Sequence, residues 1–368
     1  MNFTIQREAL LKPLQTICSV VERRQTLPIL SHVLIVFDGE QLKLTATDLE
    51  VEMITTTGVE KGTAGEVTVP ARKFMDICRT LPDDAVITVT VEGERAILKA
   101  GRSRFTLSTL PADDFPNIEV PADSKEFTIA QASLKSLIDH TQFAMAQQDV
   151  RYYLNGLMFE MESGTLRSVA TDGHRLAMCE TSASLPEGDT KQIILPRKGV
   201  TELARLLESE AGDVTVEVGN NHIRIKLDQL VFTSKLIDGK FPDYQRVLPQ
   251  STNKMLVVNR LELSQALTRA SILSNEKYRG IRLLMENNTV RIIANNPEQE
   301  EAEEQIEVEF DFESLEIGFN VTYLLDALNA IDTDTVQIAM SDANSSCLIT
   351  AVGEQVAECK YVVMPMRL

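Results

Sequence analysis

At 368 residues the chain is too long for one ordinary core, which suggests two or three domains of roughly 100 to 200 residues each. Its 43% hydrophobic content can fill several cores. No apolar run approaches the roughly 18 to 20 residues that span a bilayer, and Met1 to Glu8 alternate like a strand instead of forming a secretory leader, so a cytoplasmic protein without a membrane partner is expected. A formal net charge of −18 speaks against a nucleic-acid partner unless the charges are segregated.

In chain order, Phe3-Thr4-Ile5 alternates as a strand and leads into an amphipathic helix predicted over 7–24, with Leu10, Leu11 and Leu14 on one face. A strand pair follows and ends in the turn Leu44-Thr45-Ala46-Thr47-Asp48. Val69-Pro70 opens a second helix over 71–79, Val86 to Val91 alternates as a strand, and a Pro-rich connection from Pro111 to Pro116 closes the segment. The same order then recurs: Phe127-Thr128-Ile129, a helix over 132–140, the turn Ser168-Val169-Ala170-Thr171-Asp172, Leu195-Pro196 opening a helix over 197–208, the strand Val214 to Val218, and a connection from Phe241 to Pro249. A weaker third copy runs through Leu256-Val257-Val258, a helix over 259–269, Ile292 to Asn296, and a helix over 320–330 with Leu324, Leu325 and Leu328 at helical spacing.

Ala46, Ala170 and Ala294 are separated by 124 residues each time, and two equal spacings with similar flanks make chance repetition a poor explanation. The pattern predicts an α+β protein of three repeated domains, 1–125, 126–252 and 253–368, each with two helices packed on antiparallel sheets.

Over the six predicted helices the Lys and Arg residues exceed Asp and Glu by 5, leaving −23 for everything else. Helices gathered on one face would present a mildly positive surface backed by an acidic one, which attracts phosphate on one side only. The plain alternative is that Lys and Arg are simply good helix formers.

The five cysteines, Cys18, Cys78, Cys179, Cys347 and Cys359, have no C-x-x-C or Cys/His ligand spacing and read as buried thiols in a reducing compartment, so neither a metal nor a cofactor is expected. With no Trp and 5% aromatics there is little for a base-stacking platform. Asp172-Gly173-His174 near Cys179 could supply a nucleophile and base, but no nucleophile-elbow, phosphate-loop, zinc-helix or dinucleotide motif accompanies them. Asp172 also sits at the same turn as Asp48, where Glu50 replaces His174, which favours a repeated turn over catalysis.

The threefold repeat, with Asp149 to Gly156, Ala170 to Ala177, Leu273 to Lys277 and the terminal Tyr361 to Leu368, resembles the β-subunit family of bacterial DNA polymerase III over essentially the whole chain. That resemblance implies a DNA-clamp fold: a head-to-tail homodimer of three-domain protomers closed into a six-domain ring, with helices lining the hole and sheets outside. It implies a processivity factor, not an enzyme, that encircles double-stranded DNA without reading sequence. Such a factor tethers the replicative polymerase, the clamp-loader ATPase and repair proteins through a short linear peptide motif. The runner-up is a scaffold of the same repeats that gathers peptide-bearing partners without encircling DNA.

By the same resemblance, Arg24, Lys73, Gln148, Tyr152, Arg197 and Lys198 approach the duplex, where contacts to phosphate suit a sliding protein. A partner-peptide pocket is expected from Leu154, Thr171, Gly173, His174, Arg175, Leu176, Pro242, Val247, Val362 and Met364, adjoined by Arg151, Tyr153, Ser346, Pro365, Met366, Arg367 and Leu368. Aligning Phe105, Phe232 and Tyr361 as one repeated strand gives this pocket support of its own: the first two copies run on into a connection, whereas the third ends in the flexible apolar Met364-Pro365-Met366. The protomer interface is expected to have Phe105, Leu107, Ile272 and Leu273 at its centre. Arg102 and Arg104 would oppose the acidic run Glu298, Glu300, Glu301, Glu303 and Glu304.

Overall fold

A computed structural model describes residues 1–22, 27–118, 124–185, 190–354 and 357–367. Among these residues it contains six α-helices: α1 Arg7–Ile17, α2 Ala71–Thr80, α3 Gln131–Asp139, α4 Arg197–Leu206, α5 Arg260–Ser271 and α6 Val321–Asn329. Each repeat has the order strand, helix, four strands, helix, three strands, with one additional short strand, Lys61–Thr63, in the first. The three equally spaced alanines each occupy the sixth position of a seven-residue strand and are buried, in Gln41–Thr47, Thr165–Thr171 and Thr289–Asn295.

Local chemistry sets the helix ends. Pro70 and Pro196 immediately precede α2 and α4, while the side chains of Asn259 and Asn320 accept hydrogen bonds from the N–H groups of Glu262 and Thr322 to cap α5 and α6. Pro13 lies inside α1, where it has no N–H for the carbonyl of Ala9; the Thr57 hydroxyl donates to that carbonyl at 3.2 Å instead. The first helix is shorter than predicted: it ends at Ile17, and Val20 and Val21 beyond it are buried in non-helical backbone.

The chain divides into two compact units, Met1–Gln131 with Thr201–Leu236, and Ala132–Val200 with Ile237–Leu368. In the first unit an eight-stranded antiparallel sheet runs, in spatial order, Lys125–Ala130, Asp213–Val218, His222–Leu227, Leu230–Lys235, Val51–Gly58, Gln41–Thr47, His32–Phe37 and Gly65–Pro70. Half of these strands come from the first repeat and half from the second. A five-stranded sheet completes the unit and ends on Ser103–Ser108. The second unit repeats the plan, with an eight-stranded sheet joining Arg175–Ser182 of the second repeat to Glu358–Val363 of the third, and a four-stranded sheet ending on Glu301–Glu307. Helices pack on the sheets, α1 against Val51–Gly58 and α2, and α5 against Glu301–Glu307 and α6.

One expectation is corrected here. Cys179 and Cys359 face each other across the paired strands and are joined by a disulfide, so only Cys18, Cys78 and Cys347 are free buried thiols. Neighbouring strands bring directly opposed residues close enough for this bond, a proximity that sequence spacing does not reveal. Among the described residues no helix is long and apolar enough to cross a membrane.

Candidate functional site

The pocket expected from the sequence is built around a turn. Asp172 Oδ1 accepts from the N–H groups of His174 and Arg175 at 2.9 and 3.0 Å, and the Thr171 hydroxyl donates to the Arg175 carbonyl at 2.6 Å. The first repeat makes the same bonds: Asp48 Oδ1 accepts from Glu50 and Val51, and Thr47 donates to Val51. Both turns need a left-handed residue, supplied by Gly173 at φ +88° and Leu49 at φ +77°. Glycine has a second reason to stand at 173, since a Cβ there would lie 3.0 Å from the Arg151 guanidinium.

These contacts occupy the groups that could have supplied a nucleophile and base. The carboxylate of Asp172 is engaged by backbone N–H groups and by Arg175 Nε at 3.1 Å, the imidazole of His174 stacks on Tyr323 with ring centroids 6.4 Å apart, and Cys179 is buried in a disulfide.

Arg151 is held by Asp149 through two parallel hydrogen bonds of 3.0 and 2.8 Å, which hold the Asp149 carboxyl down at about 2. Arg175, expected in the pocket and half-buried, also braces the turn from within. Its guanidinium lies between the rings of Phe143 and Tyr323, donates to the Phe143 carbonyl at 2.8 Å, and pairs with Asp172 and Asp326. It is thus a strut between the turn and α6.

Behind the turn lies an apolar cluster. Leu154, Leu176 and Val362 are buried in it, and Tyr153 and Val247 pack half-buried against it. Met364 is 37% exposed, and its N–H donates to the His174 carbonyl at 2.9 Å. Pro242 is exposed and Ser346 half-buried; Met366 N–H donates to the Gly318 carbonyl at 2.8 Å, with Pro365 half-buried and Arg367 exposed beside it. Leu368 lies outside the described residues. Sequence reasoning missed Met178, Ile237, Phe241, Tyr244, Leu248 and Leu348, which belong to the same cluster. Strand alternation from Leu176 points to Met178, but only pairing across strands brings Leu348 opposite Val362.

Among the residues expected near DNA, Arg24 lies outside the described residues. Lys73 is exposed on α2, Gln148 is exposed with φ +55°, and Tyr152 is 56% exposed, edge-on to Tyr153. Arg197 and Lys198 open α4 half-buried, and Arg197 donates to the carbonyls of Met145 and Ala146.

The expected interface residues lie on sheet edges and beside α5. Arg102 is exposed in the turn just before the edge strand Ser103–Ser108, on which Arg104 is exposed, Phe105 half-buried and Leu107 buried. Ile272 is 74% exposed just past α5, and Leu273 is half-buried. The acidic run is less free than expected: Glu304 takes two hydrogen bonds from Arg269, Glu303 pairs with Arg291, and Glu300 accepts from Asn296. Glu298 and Glu301 are exposed.

Comparison with known proteins is consistent along the whole chain. Family models for the N-terminal, central and C-terminal domains of the DNA polymerase III β subunit match residues 1–119, 128–243 and 245–367. The chain is 58% identical to the β sliding clamp of Pseudomonas aeruginosa and 52% identical to that of Escherichia coli K12, with complete coverage of each pair. A crystal structure of the Pseudomonas aeruginosa sliding clamp bound to griselimycin superposes with a TM-score of 0.96 at 58% identity, covering both chains fully. With three domain models in tandem and full-length relatives above half identity, the chain belongs to the DNA polymerase III β-subunit family of bacterial sliding clamps.

Proposed function

We propose that this chain is a processivity factor: two copies close head to tail into a six-domain ring around duplex DNA, and a peptide-binding patch on the ring tethers the replicative polymerase, the clamp loader and repair proteins. The observation that carries this reading is the full-length match to sliding clamps. Domain limits of 1–125, 126–252 and 253–368 are supported by the spans of the three family models. Membership of a family of DNA polymerase III clamps supports a cytoplasmic location.

Partner peptides bind on the apolar cluster beside the Thr171–Arg175 turn. Half-buried Tyr153 and Val247 with exposed Met364 leave apolar surface within reach of a peptide, and Arg151 and His174 border it with polar groups. The relative that binds griselimycin supports a ligand-accepting surface on this fold. The protomer interface joins the edge carrying Arg102, Arg104, Phe105 and Leu107 to the region carrying Ile272, Leu273 and the acidic strand. Lys73, Gln148, Tyr152, Arg197 and Lys198 contribute contacts near DNA that do not read bases.

Mechanical linkage replaces tight binding in this mechanism: a ring need only remain closed to stay on DNA, and a net charge of −18 is no obstacle to that. The test is co-elution with nicked circular DNA after incubation with a matching clamp loader and ATP. Linearising the circle is expected to release the protein. Retention on the linear form would replace encirclement with direct binding, and absence from both, with an active loader, would favour the scaffold.

A further inference from the structure

The connection between strands Leu230–Lys235 and Lys254–Asn259 contributes Pro242 and Val247 to the peptide patch, yet its only regular element is a single 3-10 turn, Tyr244–Arg246. Its position must therefore be set by whatever docks it. Phe241 and Tyr244 are each 4% exposed and enter the apolar cluster, but apolar contact is non-directional and tolerates sliding. The phenol supplies the direction. Tyr244 donates its hydroxyl proton to Glu160 Oε1 at 2.6 Å and accepts from an Arg167 N–H at 2.9 Å.

Both partners are fixed in turn. Glu160 is 4% exposed and also takes hydrogen bonds from Arg167 and Gln192, while Arg167 Nε donates to Glu180 Oε2 at 2.7 Å. Burial pushes the Glu160 carboxyl up, but the bonds from Tyr244, Gln192 and Arg167 outweigh it and hold the carboxyl below its ordinary value. At the centre of the network Glu160 and Tyr244 are buried and hydrogen-bonded to one another and to the half-buried Arg167, the condition under which polar groups fix a single geometry.

We propose that Tyr244 is a positioning residue for the peptide patch: its hydroxyl, keyed between Glu160 and Arg167, locks the connecting segment so that Pro242 and Val247 stand at a set spacing from the Thr171–Arg175 turn. This rests on the reading of that patch as the peptide site. The ligand class it serves is a short peptide inserting apolar side chains, for which wall spacing decides fit.

The test is titration calorimetry of the full chain with griselimycin, alongside thermal unfolding. Tyr244→Phe keeps the ring and removes only the hydroxyl; affinity is expected to fall about tenfold, the scale of one hydrogen bond to a charged partner, with little change in Tm. Glu160→Gln retains an acceptor for the phenol but loses the charge opposite Arg167; it is expected to lower Tm while keeping affinity within about threefold. A purely structural role would move affinity and Tm together in both variants, and that outcome overturns the proposal. Met364→Asp separates the two readings. If it abolishes binding while Tyr244→Phe leaves affinity unchanged, the patch stands and the positioning role falls; if it leaves griselimycin affinity intact, the patch itself is misassigned.

Discussion

At the scale of single residues, the helical cations do more structural than electrostatic work. Arg7 is buried, with Nε donating to the Cys78 carbonyl at 2.9 Å and a second nitrogen to the Arg79 carbonyl at 3.1 Å, so it caps the C-terminal end of α2. Arg260, at the start of α5, does the same for the end of α6 through the carbonyls of Thr333 and Leu328. Arg72 donates to the Val21 carbonyl, and Arg197 to those of Met145 and Ala146. The count of positive charge on the helices therefore overstates what a phosphate would meet, because a guanidinium spent on buried carbonyls is partly withdrawn from solvent. Glu52 is another residue whose place no pattern announced. Fully buried where the second repeat has Leu176, it accepts from Ile118 N–H at 3.2 Å, and burial pushes its carboxyl up. The cysteines yield a direct prediction. Burial pushes the thiols of Cys18, Cys78 and Cys347 up to about 12. Alkylation of the native protein at pH 8 is expected to label none of these three, and unfolding without reductant should expose three reactive thiols, not five, by mass spectrometry. Because the unfolded chain releases these protons from about pH 9 while the folded chain keeps them to about 12, stability should fall as pH rises through that window, read as a decreasing urea midpoint.

At the scale of elements, the edge strands matter most. Among the described residues Ser103–Ser108 and Glu301–Glu307 each pair on one side only, the situation that natural sheets relieve by adding another strand. Leu107 is already buried by its own sheet, so a charge there would cost folding as well as assembly. Ile272, at 74% exposure, tests assembly alone. Ile272→Asp is expected to remove apolar burial of about 1.5–3 kcal/mol at each interface and to add a desolvated carboxylate. Light scattering should then report a mass near 40.9 kDa in place of twice that, with unfolding unchanged; a dimer that persists would remove Ile272 from the interface. Much at this scale was legible beforehand. Helix starts at Pro70 and Pro196 and the alternation of the strands are local properties that the sequence displays. The end of α1 was not, because Val20 and Val21 leave the helix for burial that distant residues provide, and the replacement of Pro13's missing bond by Thr57 likewise depends on a strand far along the chain.

At the scale of the whole molecule, retention on DNA should betray its cause by its salt dependence. A protein held by roughly 6 to 10 phosphate contacts loses about 10³ to 10⁵ in affinity between 50 and 200 mM salt. A closed ring loaded on a nicked circle is expected to change by less than about twofold over the same range, measured as the fraction co-eluting with DNA; a steep decline would mean that charge and not closure holds it. The sequence was sufficient for the threefold repeat, the α+β class, the six helices and the turn at Asp172, since each is written in short-range periodicity and in one long spacing. Tertiary structure alone decided how the repeats share sheets, with each eight-stranded sheet drawing half its strands from one repeat and half from the next. It alone joined Cys179 to Cys359, turned Arg175 into an internal strut, and seated Tyr244 between Glu160 and Arg167. The physical reason is common to all four: strand pairing and buried polar contacts bring together residues far apart in the chain, and their geometry depends on register and packing that no single segment contains.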